Sequence, residues 1–246
     1  MKSPEAAEKP CAVVTGGATG IGAACVRELA KAGFDVGIHY RGSHEAAEAL
    51  SAGLPGSFLL QADLATREGA DSLETALKAR GGLDVLVNNS GMAIDAPLFT
   101  AKWDDFDPVV ATNMRSTWYV TKRLARLMMR KGSGRVINIS SVVGSTGNPT
   151  QSVYGMTKAA IDNFTKAAAV ELASYKILVN SVAPGFIDTA MTAKLSPEVR
   201  EAILARIPLG RMGEPEEVAR VVRFLATEAT YCTGTVFHVN GGLYAG

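Results

Sequence analysis

Short apolar runs alternate along the chain with segments that repeat apolar residues every three to four positions. The runs are rich in Val, Ile and Leu and are bounded by Gly, Pro, Asn or Ser, which is typical of buried strands. Seven strands are predicted in this way, at 11–15, 34–40, 57–60, 83–87, 135–139, 177–182 and 235–239. Because strands that alternate with helices pair in parallel, the pattern predicts an α/β fold. Its centre is a doubly wound seven-stranded parallel sheet with helices on both faces.

The segments between the runs predict the helices. Their expected ranges are 23–32, 45–52, 103–131 and 154–174, with further helices starting near 66, 197 and 215. The stretch 103–131 reads as a long helical region, whose acidic first turn and basic last turn both suit the helix dipole. Residues 185–208 interrupt the alternation of strand and helix, so we expect a substrate lid around 188–208.

Length and charge narrow the class of protein. The chain has 246 residues, of which 47% are hydrophobic and 20% are charged, and this predicts a single domain over 1–246. The formal net charge of +1 does not indicate the strongly basic surface that binds a nucleic acid or an anionic membrane. No stretch approaches the roughly 18 apolar residues of a membrane span, and the polar start MKSPEAAEKP has no apolar signal core. We therefore expect no nucleic-acid partner and no membrane association.

Cysteine and histidine usage does not point to a metal. Cys11, Cys25 and Cys232 form no CxxC pair and read as reduced thiols. The histidines are scattered along the sequence. We therefore expect a cytoplasmic protein with no metal site and no disulfide framework.

A glycine-rich turn follows the first predicted strand. Its sequence is Gly16-Gly-Ala-Thr-Gly20-Ile-Gly22, and a helix pattern starts directly after it. Glycines let the backbone turn tightly and approach a pyrophosphate, and a helix N-terminus presents free N–H groups to that anion. A glycine pattern alone is weak evidence for dinucleotide binding, since tight turns commonly use glycine. The order of strand, turn and helix predicts a dinucleotide-binding loop.

The end of the second strand bears on which dinucleotide binds. An acidic residue there would hydrogen-bond the adenosine ribose and favour NAD. This chain instead has Tyr40-Arg41-Gly42-Ser43. The planar guanidinium of Arg41 suits a 2′-phosphate, so we expect NADP(H); an ordinary solvated arginine is the alternative.

Polar residues also follow the third and fourth strands. Asp63 and Leu64 follow the third, where Asp63 would hydrogen-bond the adenine amino group or cap the next helix. Asn89 and Gly91 follow the fourth, in the sequence NNSG, and fit a turn that lines the cofactor at the carboxyl edge of the sheet. A local Asx-turn without a ligand is the alternative.

Two side chains four residues apart are the candidates for acid–base chemistry. Tyr154 and Lys158 lie near a predicted helix start, so they share one helix face, and Ser141 ends the strand before them. An unperturbed tyrosine has a pKa near ~10, and lowering it towards neutral takes roughly 4 kcal/mol. A solvent-exposed lysine supplies only about 0–1 kcal/mol. The interpretation therefore requires a dry pocket and a second cation such as an oxidised nicotinamide; a surface pair that shares a face by chance is the alternative.

Asn113 lies inside the long helical stretch and is flanked by apolar residues. Asparagine is a mediocre helix former, so an interior Asn indicates a polar task. A solvent-facing asparagine is the alternative.

Taken together, TGGATGIG, NNSG, Asn113, Ser141, the Tyr154/Lys158 pair and Pro184-Gly185 resemble the short-chain dehydrogenase/reductase family. The motifs occur in the family's order and approximate spacing, and the resemblance runs from Cys11 to the C-terminus. The segments VAPGFIDTAMT, IPLGRMGEPEE and HVNGGLY are similar to those of the bacterial 3-oxoacyl-[acyl-carrier-protein] reductases in this family.

The resemblance implies a Rossmann fold and a catalytic tetrad. Tyr154 would be the general acid towards a carbonyl oxygen, and Lys158 would lower its pKa and bind the nicotinamide ribose. Ser141 would hydrogen-bond the substrate carbonyl, and Asn113 would hold a water of a proton relay. The implied cofactor-binding residues are Gly16, Thr19, Gly20, Ile21 and Gly22 at the pyrophosphate, Ile187 and Thr189 at the nicotinamide amide, and Arg41, Asp63, Leu64, Asn89, Gly91, Tyr154, Lys158 and Pro184.

The implied activity is the NADPH-dependent reduction of a ketone to a secondary alcohol, with a 3-oxoacyl thioester as the substrate, acyl carrier protein as a partner and a homotetrameric assembly. Two departures bear on this. The family's usual NNAG is NNSG here, and Gly132 and Tyr175 stand where arginines that dock the carrier are expected, although Arg130, Lys131 and Lys176 lie nearby. The alternatives are a dehydrogenase for another small alcohol or ketone (a sugar, a steroid or a xenobiotic carbonyl) and a catalytically silent cofactor-binding regulator.

Overall fold

The predicted strands agree with the structure in number and order. The computed structural model describes residues 9–190, 192–194 and 196–245. Its strands are β1 (Cys11–Val14), β2 (Asp35–Tyr40), β3 (Phe58–Gln61), β4 (Val85–Asn88), β5 (Gly134–Ile139), β6 (Ile177–Pro184) and β7 (Val236–Val239). They form one sheet in the order β3-β2-β1-β4-β5-β6-β7, in which every neighbouring pair is parallel. The doubly wound seven-stranded sheet is thus confirmed.

Helices connect the strands and cover both faces of the sheet. They are α1 (Gly20–Lys31), α2 (His44–Ala52), α3 (Arg67–Ala79), α4 (Phe106–Val110), α5 (Ser116–Lys131), α6 (Val143–Thr146), α7 (Ser152–Leu172), α8 (Pro197–Leu204) and α9 (Pro215–Thr227). Within this part of the chain, no helix combines the length and the apolar character needed to cross a membrane.

Alternating residues of the central strands determine how the layers pack. Val14 of β1 belongs to a buried cluster with Leu29 of α1 and Val222 of α9. Val13 faces the other side and belongs to a second cluster with Leu124 of α5. Because both faces of β1 are buried, its sequence is a continuous apolar run rather than an alternating one. Each fully buried Leu or Val side chain contributes roughly 1.5–3 kcal/mol, so these two clusters hold the sheet between its helical layers.

The helical region predicted over 103–131 is present, but it is not one regular α-helix. It starts as a 3₁₀ turn at Trp103–Asp105, continues as α4, passes through a π turn at Ala111–Arg115 and ends as α5. The π turn carries Asn113, whose side chain makes its hydrogen bonds outside the helix. Single π turns inside helices often mark functional sites, where such tertiary bonds offset the irregular backbone.

Several element ends differ from the predictions by a few residues. Helix α1 starts at Gly20 rather than Ala23, so the last glycines of the turn belong to the helix itself. Strand β6 extends two residues beyond its predicted end at 182, and Pro184 is its last residue. Proline lacks only the N–H donor. Its carbonyl still accepts a hydrogen bond from the Val142 amide at 2.9 Å.

The strand order places a crevice at the carboxyl edge of the sheet. The chain first builds β1, β2 and β3 in one direction and then returns to place β4 on the other side of β1. Ligands of open parallel sheets bind where the order reverses in this way. The residues that follow β1 and β4 meet at this point.

Candidate active site

Glycines shape the turn that follows β1. Gly16 and Gly20 have φ angles of +60° and +53°, in the left-handed region that favours glycine. A Cβ atom at Gly22 would collide with the carbonyl oxygen of Gly16, so the first turn of α1 packs directly on the loop. Thr19 is the N-cap residue of α1, and its side chain makes no capping hydrogen bond. The loop therefore presents backbone amides and a free hydroxyl at the N-terminus of a 12-residue helix.

Residues that follow β4 hold the glycine turn from the other side. The Thr15 hydroxyl oxygen accepts hydrogen bonds from the amides of Asn89 and Ser90 at 2.9 and 3.0 Å. The Asn89 side chain donates to the carbonyls of Thr15 and Gly16, both at 3.0 Å. These bonds span more than 70 residues of sequence, so the role of Asn89 is to shape the glycine turn and is not that of a local Asx-turn.

The predicted adenosine-binding residues follow β2 and β3 at the same edge. Arg41 is exposed, and its carbonyl accepts a hydrogen bond from Gln61 at 3.2 Å. The Asp63 carboxylate accepts from the Ala65 amide at 3.0 Å, whereas Thr66 caps α3. The alternative in which Asp63 caps α3 is therefore wrong. Asp63 is exposed beside the buried Leu64, in a position that leaves its carboxylate accessible to a ligand.

Tyr154 and Lys158 lie in the first two turns of α7, as predicted. The Lys158 ammonium lies 5.5 Å from the centre of the Tyr154 ring and donates to the carbonyl of Ile139 at 2.8 Å. Ile139 is the last residue of β5, two positions before Ser141. The Ser141 side chain lies close enough to Tyr154 to lower its pKa, and the Ser141 hydroxyl accepts a hydrogen bond from the Val143 amide at 3.2 Å. Because Lys158 is only 4% exposed, a chance pair on the surface is excluded.

Burial is the largest cause of the pKa shifts of Lys158 and Tyr154. It lowers the pKa of Lys158 to about 8, against a smaller raising effect of the Asp162 carboxylate. Burial also raises the pKa of Tyr154 above its ordinary value, and the nearby Ser141 hydroxyl only partly opposes this. The lowered Tyr154 pKa expected from the sequence is therefore not found in the chain by itself. Desolvation of the phenolate is the largest cause and the Asp95 carboxylate adds to it, so a lowered pKa needs a second positive charge in the cleft.

Asn113 connects the segment after β4 to the catalytic helix. Its side-chain oxygen accepts from the Met92 amide at 2.8 Å, and its side-chain nitrogen donates to the Met92 carbonyl at 2.8 Å and to the Thr157 hydroxyl at 3.1 Å. Thr157 in turn donates to the carbonyl of Tyr154 at 2.7 Å. Asn113 is fully buried, so the solvent-facing alternative is wrong. Both of its N–H donors are used by protein atoms, and only oxygen lone pairs are left for the water expected from the resemblance.

Gly91 lies where the cofactor-binding and catalytic parts of the site meet. A Cβ atom there would lie 3.4 Å from the side-chain oxygen of Asn113 and 3.6 Å from the Lys158 nitrogen. Any larger residue would therefore contact both of these groups. The structure thus brings the end of β4, the π turn and α7 together at one point.

The segment after β6 lies opposite the glycine turn. Pro184 ends the strand, and Ile187 is buried and pairs with Gly213 as an isolated bridge. A Cβ atom at Gly20 would lie 3.6 Å from the Thr189 methyl group, so Thr189 faces the start of α1. Ile187 also lines a cavity of about 430 Å³ that residues 208–213 and 238–242 help to form.

The predicted lid over 188–208 contains a 3₁₀ turn at Thr192–Lys194 and helix α8. Met191 and Leu195, which belong to the same prediction, lie outside the described residues. The Thr192 hydroxyl donates to the carbonyl of Ile187 at 2.7 Å and accepts from the Thr189 amide at 2.9 Å. This brace fixes the start of the segment beside the glycine turn.

The groups along this edge fit a nicotinamide dinucleotide. The glycine turn leaves no room for side chains, the first turn of α1 contains no acidic residue, and Ile21 is only partly buried within it. This combination suits a pyrophosphate. Arg41, the first residue after β2, and Lys158 of α7 contribute cationic side chains. The residues present therefore suit both halves of such a cofactor, because each half carries charged groups and hydroxyl groups.

Sequence reasoning missed two members of the site. Met92 offers both of its backbone groups to Asn113, and Thr157 carries the connection to Tyr154. A threonine inside a helix gives no signal of this role, because the partner is supplied only by the tertiary fold. Gly132, one of the two departures, ends α5 with a φ of +79°, which explains a glycine at that position.

Comparisons with known proteins place these features in a wider context. A family model described as Enoyl-(Acyl carrier protein) reductase matches residues 16–244. The chain is 43% identical over 239 residues to the 3-oxoacyl-[acyl-carrier-protein] reductase FabG of Staphylococcus aureus, covering 95% of this chain and 97% of that protein. It is 44% identical over 239 residues to the 3-oxoacyl-[acyl-carrier-protein] reductase of Synechocystis, covering 94% and 96%. It is also 44% identical over 237 residues to the 3-oxoacyl-[acyl-carrier-protein] reductase FabG of Haemophilus influenzae, covering 95% of this chain and 97% of that protein.

Proposed function

The chain belongs to the short-chain dehydrogenase/reductase family, and on this premise we propose that it reduces a 3-oxoacyl thioester to the 3-hydroxyacyl thioester with NADPH. Membership of the family makes it an oxidoreductase that acts on carbonyl or alcohol groups with a nicotinamide cofactor. The observation that carries the proposal is the convergence of Ser141, Tyr154 and Lys158 beside the glycine turn.

The cofactor is proposed to lie along the carboxyl edge of the sheet. Its pyrophosphate would accept hydrogen bonds from the amides of Gly20, Ile21 and Gly22 and from the Thr19 hydroxyl. Asp63 and Leu64 would flank the adenine, and Asn89 and Gly91 would line the central part. Pro184, Ile187 and Thr189 would contact the nicotinamide end. When bound, the reduced nicotinamide supplies the hydride that the carbonyl carbon gains.

The choice of NADP over NAD is proposed from Arg41. It is the first residue after β2, and its side chain is exposed. A guanidinium can donate two parallel hydrogen bonds to a 2′-phosphate, whereas an unphosphorylated ribose offers it no charge. An acidic residue, which would favour the ribose of NAD, does not follow β2 in this sequence.

The proton is proposed to come from Tyr154. As hydride reaches the carbonyl carbon, the oxygen gathers negative charge, and the phenol hydroxyl delivers a proton to it. Ser141 lies beside Tyr154 and would donate to the same oxygen. Since burial raises the Tyr154 pKa, the phenol stays protonated at neutral pH and is ready to act as the acid in the direction of reduction.

Lys158 and Asn113 are proposed to position this chemistry. The Lys158 ammonium is fixed by the Ile139 carbonyl, which leaves two of its three N–H donors for ribose hydroxyls. Asn113 holds the segment after β4 against α7 through Met92 and Thr157. Loss of either contact would shift the hydroxyl of Tyr154 relative to the cofactor cleft.

The acyl thioester is proposed from the relatives, whose printed names give 3-oxoacyl-[acyl-carrier-protein] as the substrate. Docking of acyl carrier protein is proposed to use Arg130 and Lys176, which are exposed near Gly132 and Tyr175. Lys131 is a poorer candidate because it pairs with Asp84 at 2.6 Å. A different ketone or alcohol is the second candidate, favoured by the missing arginines at Gly132 and Tyr175.

A homotetramer is proposed as the assembly. Apolar side chains are exposed on the helices that carry the catalytic residues, namely Met114 and Trp118 after Asn113, and Met156 and Val170 on α7. We infer that these exposed apolar side chains take part in the subunit contacts. Light scattering on the purified protein tests the mass. The single domain, its lid and a cytoplasmic location remain predictions from the sequence.

The experiment that tests the function is a cofactor-oxidation assay with purified protein. Loss of NADPH absorbance is followed with acetoacetyl thioester, with a panel of plain ketones and with a crotonyl thioester. The proposal expects turnover of the 3-oxo thioester and none of the crotonyl thioester, which lacks the keto group. Turnover of plain ketones alone would favour the second candidate, and turnover of the crotonyl thioester alone would place the reaction at a carbon–carbon double bond.

A further inference from the structure

We propose that His39 is a positioning residue that holds the cofactor-binding loops in place, an inference that rests on the proposed use of a nicotinamide dinucleotide. His39 is the fifth residue of β2 and is 3% exposed. Its ring nitrogen Nδ1 lies 3.1 Å from the amide nitrogen of Gly16, and Nε2 lies 3.1 Å from the carbonyl oxygen of Ala62. The imidazole thus bridges the glycine turn after β1 and the loop after β3.

The two partners fix the protonation of the ring. The Gly16 amide can only donate, so Nδ1 has to accept, and the Ala62 carbonyl can only accept, so Nε2 has to carry the hydrogen. Both requirements are met by one neutral tautomer and by no protonated form. Burial lowers the pKa of His39 to about 4, against a smaller raising effect of the Ala62 hydrogen bond and the Asp63 charge, so this tautomer is present at neutral pH.

The bridge supports both loops that flank the adenosine half of the proposed site. Gly16 begins the glycine turn at a φ of +60°, and its carbonyl accepts from Asn89. His39 therefore accepts from the Gly16 amide, while Asn89 donates to the Gly16 carbonyl. The backbone of His39 adds a second contact, since its carbonyl accepts from the Gly17 amide at 2.8 Å. On the other side, Ala62 directly precedes Asp63, the proposed adenine contact.

The placement of these bonds argues for a role in binding. Within the sheet, His39 lies opposite Leu60 of β3, and the strand pairing there needs no side chain. The imidazole bonds instead reach two loop residues beyond the strands, and they hold the Gly16 amide and the Ala62 carbonyl, which the backbone bond from the Ala62 amide to the Tyr40 carbonyl leaves unfixed. A binding loop that is already held in its productive geometry does not lose freedom when the ligand arrives, and this increases affinity.

Three substitutions separate the two bonds. In His39→Asn the side-chain oxygen stands close to the place of Nδ1, so the bond to Gly16 is retained and the bond to Ala62 is lost. In His39→Gln the amide reaches the place of Nε2, so the Ala62 bond is retained and the Gly16 bond is lost. His39→Leu removes both bonds. Asn180→Leu is the matched control, because Asn180 is 2% exposed and bridges Cys232 and Thr235, away from the glycine turn.

The experiment measures the dissociation constant of NADPH by fluorescence titration, the melting temperature without cofactor, and kcat at saturating NADPH. We expect binding to weaken roughly tenfold in the Leu and Gln variants, with the Asn variant within about threefold of the wild type. Saturating NADPH should restore kcat in all three variants. The Asn180→Leu control should lower the melting temperature without weakening NADPH binding.

Equal NADPH affinity in the wild type and in the His39 variants would overturn the inference. So would an affinity loss that follows the melting temperature alone and appears equally in Asn180→Leu, because His39 would then be only a structural residue. The contrast between the Asn and Gln variants decides the question even if the Leu variant does not fold. A wild-type protein that binds neither NADPH nor NADH would instead reject the proposed function, and the role of His39 with it.

Discussion

The Lys158 ammonium donates a hydrogen bond to the main-chain carbonyl of Ile139 at 2.8 Å, although the lysine side chain is almost fully buried. This bond ties α7 to the carboxyl end of β5, where the loop to Ser141 begins. The position of the Tyr154–Lys158 pair is therefore set by the sheet. Such a charge is costly in a dry site, and its presence indicates a functional rather than a stabilising role.

The first prediction concerns the stability cost of Lys158. Its pKa is lowered from 10.5 to about 8 in the folded chain. Between pH 8 and 10.5 the unfolded chain therefore binds more protons than the folded chain. The free energy of unfolding rises with pH across this window. Below pH 8 the full cost of the buried charge is present. Lys158→Met should raise the free energy of unfolding at pH 7 by about 2 kcal/mol, after loss of the Ile139 hydrogen bond is counted.

Urea denaturation at several pH values measures this effect. The gain of Lys158→Met over the wild type should shrink as the pH rises from 8 to above 10.5, while turnover is lost at every pH. Lys166, which is exposed on the same helix, provides the control variant Lys166→Met, whose stability should not depend on pH in this way. A Lys158→Met variant that is less stable than the wild type at pH 7 contradicts the prediction.

The second prediction concerns the clamp formed by Asn113. Asn113→Ala leaves both backbone groups of Met92 without their partner, whereas Thr157→Val removes only one of the three bonds of the clamp. We expect the Asn113 variant to lose at least about tenfold in kcat and the Thr157 variant to lose less. Steady-state kinetics with saturating NADPH measures both. Equal kcat values for wild type and Asn113→Ala would show that the clamp does not position the catalytic helix.

The third prediction concerns cofactor choice at Arg41. Removal of a charge-assisted pair with a phosphate costs about 1.5–3 kcal/mol, so Arg41→Ala should weaken NADPH binding roughly ten- to hundredfold. NADH has no 2′-phosphate, and its affinity should stay within about twofold. Arg41→Lys keeps the charge without the planar fork and should fall between these limits. Fluorescence titration with both cofactors measures the ratio, and equal losses for NADPH and NADH would refute the assignment.

Much of the fold could be predicted because its signals are local. The buried strands are continuous apolar runs, and Gly22 is required by a contact only six residues away in sequence, with the Gly16 carbonyl. The π turn near Asn113 could not be predicted, since it is accompanied by bonds to Met92, which is 21 residues distant. The same reason hid His39, whose partners Gly16 and Ala62 are each 23 residues away.

The sequence predicted where the candidate site lies, but it did not predict the pKa shifts of the site's residues. Spacing placed Tyr154 and Lys158 on one helix face, and the structure agrees. The sequence cannot state how far each group is buried, and burial determines the direction of both pKa shifts. Burial raises the Tyr154 pKa in the chain alone, so the lowering that is expected with a bound cation in the cleft stays a prediction.

The fourth prediction addresses the proton donor itself. Tyr154→Phe keeps the aromatic ring beside Lys158 and removes only the hydroxyl, so NADPH binding should stay within about twofold of the wild type. Ser141→Ala, which removes the neighbouring hydroxyl that lowers the Tyr154 pKa, is the companion variant and should retain more activity. General acid catalysis accounts for roughly 10²–10⁴-fold in rate, and the loss in Tyr154→Phe should lie in that range or beyond it.

The most direct measurement is a single-turnover experiment in which Tyr154→Phe, already saturated with NADPH, is mixed with acetoacetyl thioester. The account predicts that the NADPH absorbance decays at least about 10²-fold more slowly than in the wild type, although cofactor binding is unchanged. A decay as fast as that of the wild type would show that the proton reaches the substrate oxygen by another route, and would contradict the central claim.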